Sequence, residues 1–220
     1  MALESDRVDS QSGRTGSVMV FLHGYGADGK DLLGLSEHLA PYLPDTVFIA
    51  PNAPERCIGN PMGYQWFPIP WIDGSDPEVS REGMVKAVAD LNAFLDDVLI
   101  DEGIEADQLV LFGFSQGTMM ALHIAPRREE EIAGVIGFSG RLVEPETLED
   151  ELKVRPKILL VHGDQDDVVP PQSLPDAANS LTSNGFEVFA HVSEGTAHGI
   201  APDGLKVALA FARNRLGIED

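Results

Sequence analysis

Short apolar runs rich in β-branched and aromatic residues recur along the chain, at 18–22, 46–50, 109–112, 135–138, 158–161 and 186–192. Hydrophobicity that is continuous over so few residues predicts strands buried on both faces. Between these runs the period changes. From 80 to 100, Met84, Val88, Leu91, Leu95 and Val98 recur in steps of three and four. That spacing predicts a helix with one apolar face, with Ser80 placed to cap it. Further helices are predicted over 31–40, 115–124, 173–183 and 205–216. Strands alternating with helices imply a mostly parallel sheet flanked by helices on both faces. The segment 51–77 follows neither period: it is proline-rich and carries Tyr64, Trp66, Phe67 and Trp71. A long ordered loop is expected there, its aromatics either pinning it to the core or lining a substrate groove. Tyr64, Trp66 and Phe67 are the candidate substrate-binding residues.

Composition narrows the picture. A chain of 220 residues suits one hydrophobic core, and the division expected is a flexible segment over 1–17 followed by one domain over 18–220. Thirty-six acidic against fifteen basic residues give a formal net charge of −21, which repels nucleic-acid phosphates and anionic lipid headgroups; no basic run beyond Arg127-Arg128 offsets it. Neither nucleic acid nor stable membrane insertion is expected. The single cysteine, Cys57, cannot form an internal disulfide, and no Cys/His group has zinc-site spacing. With no signal-like apolar segment at 1–17, a cytoplasmic location is expected.

The chemistry concentrates in Gly113-Phe114-Ser115-Gln116-Gly117. A Gly-x-Ser-x-Gly between an apolar strand and a helix predicts a sharp strand–turn–helix elbow that presents Ser115 as a nucleophile, the glycines being needed because neighbouring backbone crowds the turn. Gly137-Phe138-Ser139-Gly140-Arg141 also follows a strand, but lacks the second motif glycine and any following helical period, so Ser139 is expected to be structural. A serine nucleophile needs a base and an orienting carboxylate. Of the six histidines, His23, His38, His123, His162 and His191 fall in a turn, helices or strands, whereas His198 lies in the loop between the last strand and the last helix. His198 is therefore the candidate base. The carboxylate is sought in Asp164, Asp166 and Asp167, after the strand at 158; Asp164 reads as a local turn cap, and spacing leaves Asp166 and Asp167 as alternatives. Two N–H donors are needed for the oxyanion: that of Gln116, and one from the Gly-rich turn 22–28, with Tyr25 the candidate.

With these motifs assembled, the chain resembles the carboxylesterase and acyl-protein thioesterase family of α/β-hydrolases. The resemblance runs from about Val18 to Leu216. It rests on Leu22-His23-Gly24-Tyr25-Gly26-Ala27-Asp28, Pro51-Asn52-Ala53-Pro54, the Ser115 motif, His162-Gly163-Asp164-Gln165-Asp166 with Val168-Val169-Pro170, and His198. It implies an α/β-hydrolase fold without a separate cap domain. It also implies Asp166 rather than Asp167 as the partner of His198, with Tyr25 and Gln116 at the oxyanion positions and no cofactor or metal. The implied activity is hydrolysis of short- to medium-chain carboxylic esters through an acyl-enzyme, with thioesters or lysophospholipids as alternative small-molecule substrates; a homodimer is left open. A ligand-binding protein that has kept the fold without the chemistry is the rival from another class. The sequence departs from the family pattern at Tyr25 (usually Leu), Thr118 (usually Gly) and Pro68 (usually Asp), so the acyl pocket and the aromatic loop are expected to be shaped differently.

Overall fold

A computed structural model describes residues 3–218. Nine strands occur among them: β1 (Ser5–Val8), β2 (Ser17–Leu22), β3 (Thr46–Pro51), β4 (Glu55–Arg56), β5 (Tyr64–Gln65), β6 (Leu109–Phe114), β7 (Gly134–Phe138), β8 (Ile158–Gly163) and β9 (Val188–Ser193). The helices are α1 (Gly29–Leu33), α2 (Ser36–Leu39), α3 (Pro70–Asp73), α4 (Pro77–Glu102), α5 (Gln116–Ile124), α6 (Leu148–Glu151), α7 (Ser173–Ser183) and α8 (Pro202–Arg215). Seven strands form one sheet in the order β1-β3-β2-β6-β7-β8-β9, parallel throughout except for β1.

The unbroken hydrophobic runs are explained by two cores, one on each face of the sheet. Successive side chains of a strand point to opposite faces. Val18, Val20 and Leu22 of β2 join Leu109 and Leu111 of β6 in the core under α4, α5 and α7. Met19 and Phe21 join Val110 and Phe112 in the core under α2 and α8. In the second core Phe112 packs edge-on to Phe21 at 5.2 Å and stacks on Phe138 at 5.1 Å, contacts worth about 0.5–1.5 kcal/mol each beyond their buried area. No helix among the described residues is long and apolar enough to cross a membrane.

Four expectations are corrected. Residues 5–8, assigned to a flexible lead-in, form β1 and pair with residues 48–51 of β3. Ser-Asp-Arg-Val lacks a hydrophobic signal because an edge strand needs backbone pairing more than two buried faces. The helix expected over 31–40 is two short ones, broken around Gly34. Helix α4 begins before Ser80: Asp76 accepts from the N–H of Glu78 and Pro77 fills the first turn. Ser80 instead donates its hydroxyl to the Pro68 carbonyl at 2.6 Å, tying α4 to the aromatic loop. Finally, 51–77 contains structure of its own, the β4–β5 hairpin and the single turn α3.

The parallel strands β2, β6, β7 and β8 end on one edge of the sheet, and the segments that follow them converge there. That edge is where open α/β sheets carry their sites.

Candidate active site

Strand β6 ends at Phe114 and α5 begins at Gln116, so Ser115 alone makes the turn, with φ 53° and ψ −114°. A non-glycine residue held there costs on the order of 1–3 kcal/mol, which the surroundings must over-determine. They do: the Ser115 N–H donates to the Phe138 carbonyl at 2.8 Å, and the flanking glycines let backbone close in. A Cβ at Gly117 would lie 1.8 Å from the Leu22 carbonyl oxygen, and one at Gly113 would lie 2.5 Å from the Thr118 nitrogen. Thr118 is accommodated by the next strand. Its hydroxyl donates to the Phe138 carbonyl at 2.8 Å, and Gly137 and Gly140 leave room for its side chain, since a Cβ at either would come within 2.6 Å of it.

Asp166 and His198 meet at the end of β8. Asp166 Oδ2 lies 2.7 Å from His198 Nδ1. Its Oδ1 accepts from the N–H groups of Val168 and Val169 at 2.9 and 2.8 Å, and His162 Nε2 stands 3.2 Å from Oδ2. Burial pushes this carboxyl up, but the hydrogen bonds from His198, Val169 and Val168 outweigh it and hold the group below the usual carboxylate range. Asp166 is thus ionised, fully enclosed and fixed on both oxygens. Asp167 is exposed. Asp164 reaches across to accept from the Gly195 N–H at 2.6 Å, fastening the loop that carries His198; it does not cap its own turn, a role that falls to Asp166. Gly163 permits this closeness, because a Cβ there would lie 2.2 Å from the Thr196 carbonyl oxygen.

The candidate oxyanion donors flank the elbow. Gln116 is the first residue of α5, where N–H groups have no intrahelical acceptor. The turn carrying Tyr25 runs beside Ser115: a Cβ at Gly24 would sit 3.3 Å from the Ser115 Cβ. The Tyr25 phenol works as a strut, donating to Asp73 Oδ2 at 2.9 Å and accepting from the Gly59 N–H at 3.2 Å. Burial first, then its bonds to Cys57 and Asp73, push its ionisation well above the usual tyrosine value. Burial also raises Asp73, but donation from Ser75, Ile69 and Tyr25 outweighs this and leaves it below the usual range.

Tyr64, Trp66 and Phe67 are not brought to the cleft, which corrects their reading as substrate-binding residues. Trp66 is 0% exposed and Phe67 4%. The Trp66 indole N–H donates to the His23 carbonyl at 3.0 Å, and its ring lies 5.6 Å from the His23 ring. The Gln116 side chain staples this segment, accepting from the Trp66 N–H at 3.0 Å and donating to the Phe67 carbonyl at 2.7 Å. Tyr64 exchanges backbone bonds of 2.8 Å with Gly26 and Ala27, while its ring stacks under Arg56 at 4.1 Å. The segment therefore braces the turn of Tyr25. Buried His23 completes the brace: Nε2 accepts from the Ala53 N–H at 3.0 Å, leaving the Nδ1 proton to the Gly24 carbonyl at 2.8 Å, and burial lowers its pKa.

Ser115, His198 and Tyr25 line one cleft of about 640 Å³. Its mouth is formed by Met62, Trp71 and Ile72, which are 84%, 60% and 48% exposed. The sequence signal for them was weak, an apolar residue in a proline-rich loop being equally compatible with core or surface. A larger groove of about 1070 Å³ lies between the α2 region and α8. It holds none of the candidate catalytic residues, so volume does not select the site. Among the described residues no group of three or more His, Cys, Asp or Glu side chains is arranged to hold a metal ion.

A mostly parallel sheet with this strand–turn–helix at its carboxyl edge defines an α/β-hydrolase. The chain belongs to the phospholipase/carboxylesterase family, whose model matches residues 3–215, and is an ester-hydrolysing enzyme of that family. It is 30% identical to acyl-protein thioesterase 1 of Saccharomyces cerevisiae over 90% of this chain and 92% of that one. It is 28% identical to the esterase YpfH of Escherichia coli, over 89% of this chain and 82% of the relative. The crystal structure of esterase PE8 superposes with a TM-score of 0.92 at 43% identity, covering 97% of this chain and 99% of that chain.

Proposed function

We propose that the chain is a serine carboxylesterase acting on short- to medium-chain esters, with Ser115 as nucleophile, His198 as base and Asp166 as its orienting carboxylate. The observation that carries this reading is the 2.7 Å contact of His198 Nδ1 with enclosed Asp166, in the same cleft as a serine held at positive φ. An ionised Asp166 takes the Nδ1 proton as a hydrogen bond, leaving Nε2 to accept one. Ser115 Oγ bonds to the ester carbon as its proton passes to His198, and the carbonyl oxygen gathers negative charge between the N–H groups of Gln116 and Tyr25. One such donor is worth about 2.7–4 kcal/mol of transition-state stabilisation. His198 then protonates the departing alkoxide. Water, deprotonated by His198 in turn, attacks the acyl-enzyme and releases the acid and free Ser115.

Separate Asp→Asn variants at 164, 166 and 167 test the assignment on one activated ester. Asp166→Asn is expected to lose up to ~10⁴ in kcat, Asp167→Asn to stay within a few-fold of the parent, and Asp164→Asn to lose mainly stability. A dead Asp167→Asn beside an active Asp166→Asn overturns it. A thioesterase reading is favoured by the relatives named acyl-protein thioesterase and by the exposed apolar mouth. Matched oxygen esters and thioesters of one acyl group separate the two by kcat/KM. The reading keeps the enzyme in the cytoplasm, in keeping with its lone cysteine, and light scattering checks whether it acts as a homodimer.

A further inference from the structure

Arg141 is the one Lys or Arg among the described residues lining the cleft with Ser115 and His198. It follows Gly140, whose Cβ position is 3.0 Å from the Ser115 carbonyl oxygen, so its backbone stands beside the elbow. The guanidinium carbon sits 5.2 Å from the centroid of the Trp71 ring, which lines the same cleft. Stacking on an aromatic face holds a guanidinium while leaving its in-plane N–H groups available. Arg141 is exposed, and no ion pair or hydrogen bond to another described residue occupies its N–H groups, which face solvent. This is notable in a chain with 36 acids and 15 bases, in which Arg7, Arg14, Arg81, Arg127 and Arg128 each hold a carboxylate. The cleft's acids, Asp28 and Asp31, stand at the start of α1, where Asp28 accepts from the Asp31 N–H at 3.2 Å. Both acids, like the net charge of −21, oppose an anion in the cleft, so among the described lining residues Arg141 alone can pair with a substrate carboxylate.

We propose that Arg141 makes this enzyme selective for esters that carry a carboxylate within reach of the cleft mouth, the guanidinium fork pairing with that carboxylate while Ser115 attacks the ester carbon. The proposal rests on the serine-hydrolase reading above and names its substrate class. Two matched pairs of esters test it. One places the charge on the acyl side, mono-p-nitrophenyl glutarate against p-nitrophenyl valerate; the other on the alcohol side, 4-butyryloxybenzoate against 4-butyryloxybenzamide. For each pair the readout is the ratio of kcat/KM for the anionic ester to that for the neutral one. Arg141→Gln is expected to lower the ratio roughly tenfold on at least one pair, as a charge-assisted bidentate contact in a half-open cleft should, and Arg141→Glu to lower it further. The pair that responds identifies the side bearing the carboxylate. The wild-type ratio is expected to fall toward the Arg141→Gln value as NaCl is raised to about 1 M, where screening is nearly complete. Thermal melts of both variants check folding. Wild-type ratios below one on both pairs, or ratios in Arg141→Gln within twofold of wild type on both pairs, overturn the proposal. If the wild type hydrolyses neither member of either pair, the serine-hydrolase reading itself fails.

Discussion

Replacing Gln116 by Leu separates what its side chain does from what its backbone does. The backbone N–H at the start of α5 survives the change. The side chain, fully buried, loses both its bonds, and the Trp66 N–H and Phe67 carbonyl are left without partners in a site closed to water. An orphaned buried polar group costs about 1–3 kcal/mol, so the loss is roughly 2–6 kcal/mol, a large part of the 5–15 kcal/mol that stabilises a typical domain. For a chain of this size each kcal/mol moves Tm by about 2–4 °C, giving an expected fall of roughly 4–24 °C. Activity should fall as well, because residues 64–67 brace Gly26 and Ala27 through the Tyr64 backbone bonds, and the Tyr25 N–H moves with them. In the still-folded variant at 20 °C, kcat on p-nitrophenyl butyrate should drop at least tenfold, in the range seen when catalytic geometry loosens by a fraction of an ångström. Thermal melts and initial rates on one preparation suffice. A Tm within 2 °C of the parent, with kcat unchanged, would refute the stapling role.

Four further outcomes are expected. Gly163→Ala must displace the Thr196 carbonyl, since the added Cβ would start 2.2 Å from its oxygen; kcat should fall by about 10²-fold with a smaller change in KM, and parental kcat would show that the His198 loop is not seated on β8. Trp66→Ala should cost about 3–5 kcal/mol of stability, whereas Trp71→Ala at the exposed mouth should alter the ranking of esters by acyl length while Tm holds; denaturation curves and an ester series check both. His123 is buried with its pKa lowered to about 4, first by burial and then by Arg127. Because the unfolded chain takes up that proton near pH 6.5 and the folded one only near 4, stability should fall as pH drops through this window, by up to about 3 kcal/mol. His123→Gln should flatten the Tm–pH curve there, and an unaltered slope would contradict the assignment.

How much of this was legible in the sequence depends on whether the deciding information is local. The elbow was readable because strand, serine, both glycines and helix follow one another, and the clashes that require Gly113 and Gly117 come from those same elements and the adjacent β2. The candidate carboxylate was not fixed by spacing, and only the resemblance pointed to Asp166, because Asp164, Asp166 and Asp167 lie within four residues and differ only in side-chain direction, seen in the contacts to Gly195, His198 and solvent. Trp66 and Phe67 misled for a related reason. Aromatic residues in a proline-rich loop are equally compatible with a groove wall and with burial, and the groups that bury them, His23 and Gln116, are distant in sequence. Strand β1 left no hydrophobic trace because it binds by backbone at an edge. Arg141 lay beside a serine that the missing second glycine had set aside, and only the fold brings it to the cleft.

The central claim, that Ser115 is the nucleophile of a working hydrolase, is tested most directly by exposing the wild-type protein to a fluorophosphonate and locating the adduct by peptide mass spectrometry. One adduct per chain is expected, on the peptide containing Ser115, with hydrolytic activity lost in proportion to labelling and no labelling of Ser115→Ala. An active protein that resists the reagent, or an adduct on Ser139 in place of Ser115, would contradict the account.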